Sequence, residues 1–186
     1  MRVITGTARG RKLHALEGDE VRPTTDMVKE AIFSSIQFEI EGAVVLDLFA
    51  GSGQLGIEAL SRGAKYCRFV DISEDSAQCT RENVAACGFT KDSAVTKADS
   101  LDFLRNARLT FDIAFLDPPY RNGLIEKALP LLAPRMSERG IIVCEHEKGL
   151  VLPDEAGAFR KDKTRRYGKI EVTYYRIPVV DEEAEE

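Results

Sequence analysis

The apolar positions of the chain change their period several times, and each change predicts an element. Val3-Ile4 and Leu13 flank the polar, glycine-containing stretch TGTARGRK, the pattern of a short hairpin. In VRPTTD, Pro23 opens a turn, Thr24 or Thr25 can cap a helix, and Asp26 suits its first turn. Val28, Ile32 and Ile36 then recur every four residues with Phe33 beside them, so one apolar stripe faces a core. From residue 43 the run AVVLDLF is continuously apolar and ends at glycines, as in a buried parallel strand. Helical spacing follows through Leu55, Ile57 and Leu60. CRFVDI predicts the next strand and residues 74–87 the next helix. AVTKAD is a third strand, followed by a short helix near 100–107. FDIAFLD is the fourth, residues 122–133 a helix, and GIIVCEH the fifth strand. Strand and helix alternate throughout, which implies βαβ units and a parallel sheet covered on both faces. The end differs. Residues 158–164 and 169–177 are separated by RRYGK, and IEVTYYRI alternates, predicting a closing antiparallel hairpin on the sheet edge.

Composition narrows the class. A chain of 186 residues fits one domain and can bury a core without disulfides or metals. No apolar run approaches the roughly 18 residues of a membrane span. The N-terminus MRVITGTARGRK has no apolar segment of the secretory kind, so a cytoplasmic chain is expected. Cys67, Cys79, Cys87 and Cys144 form no C-x-x-C pair, and His14 and His146 lie far apart; they read as reduced thiols without a metal site. The net charge of −5 argues against a nucleic-acid partner until its distribution is considered. Five acids sit in the last six residues, DEEAEE, a tail with nothing to bury. The remaining body is neutral and carries two basic stretches. Residues 1–16 hold Arg2, Arg9, Arg11 and Lys12 and no acid. Residues 160–169 hold Arg160, Lys161, Lys163, Arg165, Arg166 and Lys169 against Asp162. Such stretches either grip a phosphate backbone or form a solvated surface.

The first strand runs into a glycine loop. Gly51, Gly53 and Gly56 spell G-x-G-x-x-G, and Asp71 ends the next strand 20 residues after Gly51. The spacing fits a dinucleotide site, where glycines let the backbone approach a ligand and the acid accepts from ribose hydroxyls; a tight strand-to-helix turn would also produce it. Asp47, four residues before the first glycine, points away from a dinucleotide, because a carboxylate beside a pyrophosphate is repelled. Asp99 follows at the third strand, where it either faces a ligand or caps a helix. Asp47, Asp71 and Asp99 at three successive carboxyl ends line the crevice where open α/β sheets bind ligands. They suit an adenosine carrying an ammonium and a sulfonium, namely S-adenosylmethionine, with S-adenosylhomocysteine as product.

The fourth strand ends in Asp117-Pro118-Pro119-Tyr120. The prolines remove two N–H donors and leave carbonyls free to accept. Asp117 adds a carboxylate, and the Tyr120 ring can stack on a base. Together they suit an exocyclic amine on a flat ring; a proline-stiffened loop is the plainer reading.

D-x-F-x-G-x-G followed by D-P-P-Y resembles the S-adenosylmethionine-dependent methyltransferases that modify exocyclic amines of bases. MRVITGTARGRKL, VRPTTDMVKEAIFSSI, LDLFAGSGQLGIEALSRGA, FVD, the CEHE strand and RRYGKIEVTYYR together resemble the bacterial RsmD family, over residues 1–177. The resemblance implies an α/β, Rossmann-like class I methyltransferase fold: a mostly parallel seven-stranded sheet with helices on both faces, a closing antiparallel hairpin, and an N-terminal β-hairpin and helix. It implies an RNA-facing extension over 1–40, a methyltransferase domain over 41–178 and an acidic tail over 179–186. The implied activity is methylation of guanine N2 in 16S ribosomal RNA, within the small subunit or its assembly intermediate, by a monomer using no metal. Asp47, Phe49, Gly51 and Gly53 would form the cofactor loop, with Asp71 and Ile72 at the ribose and Asp99 and Ser100 near the adenine. Asp117, Pro118, Pro119 and Tyr120 would hold the target guanine. Arg22, Pro23, Thr24 and Thr25 would lie at the active-site mouth, and Arg2, Arg9, Arg11, Lys12, Arg165 and Arg166 would meet RNA. Met27 stands where the family usually has arginine, Asp71 where glutamate is common, and Gln54 where a small residue is usual. An adenine-N6 methyltransferase is the nearest rival. An NAD-dependent oxidoreductase leaves Asp47 and D-P-P-Y unexplained, and a non-catalytic RNA-binding factor leaves the intact acids unexplained.

Overall fold

The structure is a computed structural model that describes residues 1–16, 25–120 and 123–179. Arg22, Pro23 and Thr24, and the expectation for the acidic tail beyond residue 179, lie outside the described residues.

The βαβ rhythm builds one sheet. Its strands are β1 (Val44–Asp47), β2 (Tyr66–Asp71), β3 (Ser93–Lys97), β4 (Phe111–Leu116), β5 (Met136–Glu147), β6 (Glu155–Ala156), β7 (Phe159–Tyr167) and β8 (Ile170–Arg176). The order across the sheet is β3-β2-β1-β4-β5-β8-β7-β6. The first five strands run parallel, and β8, β7 and β6 pair antiparallel. The sheet thus has eight strands where seven were expected. The extra strand, β6, is two residues long, too short to show an alternating pattern in LPDEAGAF.

The helices are α1 (Asp26–Ser35), α2 (Gln54–Ser61), α3 (Glu74–Ala86), α4 (Ser100–Asn106) and α5 (Leu124–Leu132). Thr25 caps α1, its hydroxyl accepting from the Val28 N–H at 3.3 Å. One apolar layer gathers Ile32, Phe33 and Ile36 of α1 with Ile57, Phe69, Phe115 and Tyr174. The other gathers Leu104, Leu129 and Leu132 with Leu46, Leu116, Ile142 and Tyr175. Alternate strand residues therefore feed opposite layers, as the period of a strand requires.

Three boundaries moved. β5 begins at Met136 rather than Gly140, with a register irregularity against Phe111 and Ile113. β7 runs on through Arg165, Arg166 and Tyr167, so the turn is confined to Gly168 and Lys169, with Gly168 at φ 63°. β3 ends at Lys97, which leaves Asp99 to cap α4.

The N-terminal segment closes as the expected short hairpin: Val3 N–H donates to the Arg11 carbonyl, Gly10 N–H to the Val3 carbonyl and Leu13 N–H to the Met1 carbonyl, at 2.9, 2.9 and 3.1 Å. Arg2 and Lys12 form a single antiparallel bridge. The segment is held mainly by α2. Glu58 accepts from the Ile4 and Thr5 N–H groups at 2.8 and 3.0 Å. Ser61 Oγ donates to the Thr5 carbonyl at 2.6 Å and accepts from the Ala8 N–H at 3.0 Å. At Gly6 any side chain would collide with the Ser61 carbonyl, and φ is +87°.

Candidate active site

Each parallel strand delivers an acid or a ligand-facing loop to the same edge. β1 ends in Asp47, β2 in Asp71, and β4 is followed by Asp117. A cavity of about 550 Å³ runs along that edge. Its wall contains Asp47, Phe49, Gly51, Asp71, Ile72, Asp99, Ser100, Asp117, Pro118, Pro119 and Tyr120. Every expected cofactor and base residue except Gly53 is therefore brought to one cavity. Leu16, Ser52, Gln54, Leu55, Asp75 and Leu101 also line it, and the spacing argument had not selected them for the site.

The three glycines have separate jobs. Gly51 has φ +56° and open space where a side chain would sit, which leaves a cradle facing the cavity. Gly53 has φ +78°, and a Cβ there would lie 2.8 Å from the Thr80 methyl, so its role is to make the turn. At Gly56 a Cβ would lie 2.3 Å from the Phe69 ring and 2.6 Å from Cys67 Sγ, so this glycine lets α2 pack on β2.

The acids are built into the backbone. Asp47 is 2% exposed and accepts from the Gly56 N–H at 2.9 Å in the first turn of α2. Burial pushes its carboxyl up to about 7; the Gly56 hydrogen bond opposes the shift and the charge of Asp71 adds to it. A cationic group beside Asp47 would restore its ionised form. Asp71 accepts from the Gly51 N–H at 2.8 Å and the Ser73 N–H at 2.9 Å, so it fixes the loop while lining the cavity. Asp99 does both of the things its position allowed: it faces the cavity and caps α4 through the Leu101 and Asp102 N–H groups, both at 3.0 Å. The Ser100 hydroxyl donates to the Leu48 carbonyl at 3.0 Å, which ties α4 to the strand end.

Long-range polar contacts complete the loop. The buried Thr80 hydroxyl donates to the Gly51 carbonyl at 2.9 Å. Asn83 Nδ2 donates to the Ser52 carbonyl at 2.9 Å and to the His14 carbonyl at 3.0 Å, and Asn83 Oδ1 accepts from the His14 N–H at 2.7 Å. Asn83 therefore joins the N-terminal segment to the glycine loop. Lys29 and Glu58, both fully buried, lie 3.8 Å apart, and Lys29 Nζ donates to the Arg2 carbonyl at 2.6 Å. Burial holds the Lys29 ammonium below its usual range, against the opposing pull of Glu58. The sequence offered one sign of this network: Lys29 and Glu58 interrupt otherwise apolar helix faces.

Asp117–Tyr120 stands behind the end of β4, with Pro118 buried and Pro119 exposed. A second, small cavity of about 20 Å³ borders it, lined in part by Glu126 and by Glu145 and His146 of the CEHE strand. His146 is buried, with Nε2 2.8 Å from Thr173 Oγ1, and burial lowers its proton affinity.

The expected RNA-facing residues occupy two exposed surfaces. Arg9, Arg11 and Lys12 are exposed on the N-terminal segment, and Arg165 and Arg166 on β7. Arg2 is exposed but pairs with Asp26 at 3.1 Å. In the second stretch, Arg160 pairs with Glu155 and Lys161 with Asp154. Thr25 serves as the cap of α1. Among the described residues no cluster of His, Cys, Asp and Glu could hold a metal, and no helix is long and apolar enough to cross a membrane.

A mostly parallel sheet of this order, carrying an acid-lined cavity across the carboxyl ends of β3, β2, β1 and β4, defines a class I methyltransferase fold. The comparisons agree. Among solved structures, "Putative methyltransferase yhhF from Escherichia coli" superposes with a TM-score of 0.85 at 32% identity, covering 96% of this chain and 99% of that one. The chain matches the family model described as conserved hypothetical protein 95 over residues 1–176, and it belongs to that family, the RsmD family. Named relatives include "Putative rRNA methyltransferase YlbH" of Bacillus subtilis, 40% identical over 95% of this chain and 98% of that protein. Another is ribosomal RNA small subunit methyltransferase D of Haemophilus influenzae, 39% identical over 88% of each chain.

Proposed function

We propose that this chain transfers a methyl group from S-adenosylmethionine to the exocyclic N2 of a guanine in 16S ribosomal RNA. The substrate is the small subunit or its assembly intermediate, and the chain acts as a cytoplasmic monomer. The observation that carries the reading is one continuous cavity joining the three acids at β1, β2 and β3 to Asp117–Tyr120 at β4. The residues fit the cofactor by their chemistry. The buried Asp47 suits a cation, Asp71 and Asp99 suit hydroxyl and amine donors, and the open space at Gly51 admits close approach of a ligand.

S-adenosylmethionine supplies a methyl group on a sulfonium centre, open to in-line displacement. The protein's task is then mainly alignment, which can supply roughly 7–11 kcal/mol of barrier reduction. A guanine amine is a weak nucleophile because its lone pair is delocalised into the ring. Asp117 and the Pro118 carbonyl accept its N–H groups and stabilise the positive charge that grows on nitrogen. Asp117 is placed to receive the proton released. The Tyr120 ring stacks on the base once it has left its neighbours. Residues 1–40 form the RNA-facing extension through Arg9, Arg11 and Lys12, and Arg165 and Arg166 of β7 add a second basic contact.

Asp117→Ala tests the assignment. Transfer to small subunits is expected to fall by at least roughly a hundredfold, the scale of one lost transition-state contact. Affinity for S-adenosylhomocysteine, read by calorimetry, is expected to stay within about twofold. An equal loss of both would remove Asp117 from the base site.

A further inference from the structure

Among the described residues, the wall of the large cavity contains one fully buried polar side-chain atom that makes no hydrogen bond within the chain. Gln54, the first residue of α2, is 6% exposed and lines the cavity. Its Oε1 is buried and has no hydrogen-bond partner among the described residues. The other polar groups around it are engaged: Asp47 by Gly56, Asp71 by Gly51 and Ser73, Asp99 by α4, and Ser100 by Leu48. A buried acceptor left without a donor is costly to the fold, so its presence in a ligand cavity points to a donor on the ligand.

The sheet order says which part of the ligand that is. Along the carboxyl edge the strands run β3, β2, β1, β4. Asp99 and Asp71, the acceptors suited to adenosine, stand at β3 and β2. Asp117 and Tyr120, the base site, stand beyond β4. Gln54 begins α2, the helix that follows β1, between those two ends, at the far end of the loop that Asp47 opens. With adenosine directed toward β3 and β2 and the methyl toward the base site beyond β4, the third arm on the sulfonium, the amino-acid end, is left for the loop after β1. Its carboxylate only accepts hydrogen bonds, so its ammonium is the donor that an orphan oxygen requires. We infer that Gln54 is a cofactor-binding residue whose Oε1 accepts from the ammonium of the amino-acid end, beside the carboxylate of Asp47. This rests on the S-adenosylmethionine reading and extends it to one further residue of the cavity wall.

The test uses two ligands that differ only at that end. S-adenosylhomocysteine carries the amino acid, and methylthioadenosine lacks it. Gln54→Met keeps the side chain's length and removes the acceptor. Its affinity for S-adenosylhomocysteine, measured by calorimetry, should fall roughly tenfold, the scale of one hydrogen bond to a charged donor. Its affinity for methylthioadenosine should be unchanged. The ligand-free thermal midpoint should hold or rise, because the thioether leaves no strong acceptor unpaired. Gln54→Ala is expected to repeat the ligand selectivity and guards against a packing fault peculiar to methionine. An equal loss for both ligands, or no loss for either, overturns the assignment. Failure of the unmodified chain to bind either ligand would overturn the cofactor reading itself.

Discussion

Glu58→Gln probes what holds the N-terminal segment to the catalytic body. Glu58 is fully buried and serves four groups: the Ile4 and Thr5 N–H groups, Arg62 Nε at 2.8 Å, and Lys29 Nζ at 3.8 Å. The substitution keeps the volume and removes the charge. Lys29, also fully buried, would then keep only its bond to the Arg2 carbonyl. One of the two backbone N–H groups would face an amide NH2 instead of an oxygen. Breaking a buried ion pair costs about 3–5 kcal/mol. Arg62 retains some exposure and Lys29 retains one acceptor, so the lower end, about 3 kcal/mol, is expected. For a domain of this size each kcal/mol lowers the thermal midpoint by about 2–4 °C, so the expected fall is roughly 6–12 °C. Differential scanning calorimetry reads that fall, and hydrogen exchange should quicken first at Ile4, Thr5, Thr7 and Ala8, whose N–H groups all bond to α2. A midpoint shift under about 2 °C, or exchange that quickens evenly across the sheet, would refute the claim that Glu58 is the anchor.

Two further outcomes follow from the site. Asp47 has a folded pKa of about 7 against an ordinary 3.8, so the folded chain holds its proton longer than the unfolded chain does. Asp47's contribution to ligand-free stability should therefore fall as pH rises from about 4 to 7, by about 4 kcal/mol at about 1.4 kcal/mol per pKa unit. Asp47→Asn should flatten that fall, so that the variant gains on the parent between pH 5 and 8; parallel unfolding curves across that range would contradict the assignment. Neutralising Arg9 and Arg11 together should reduce the salt slope of RNA binding by roughly 1.4–1.8, the release of two counterions, and an unchanged slope would remove the N-terminal segment from the RNA interface.

How far the sequence reached depended on the range of each contact. The parallel core was legible because β1, β2 and β4 are short, mostly apolar runs, each leading into a helix-period segment. The cavity residues were legible because strand ends in such a sheet share one edge, which brings Asp47, Asp71 and Asp117 together without any distance being known. What was missed is non-local or too short. Asn83 reaches His14 across 69 residues and Glu58 reaches Ile4 across 54, and no periodicity encodes either pairing. β6 is two residues long. Arg165 and Arg166 look like turn residues in the sequence, whereas on a solvent-facing strand near the sheet edge they are carried by pairing with Val172 and Glu171. Val3, Leu13 and Ile32 share one apolar layer with Phe69 and Phe115, so the N-terminal segment is packed into the body it serves.

The central claim is that the cavity and Asp117–Tyr120 methylate the N2 amine of a guanine. The most direct measurement is transfer of a tritiated methyl group from S-adenosylmethionine to small ribosomal subunits from a strain lacking this enzyme, followed by nucleoside analysis of the RNA. The account predicts label in N2-methylguanosine. Label in N6-methyladenosine, or S-adenosylmethionine binding with no label transferred to these subunits, would contradict it.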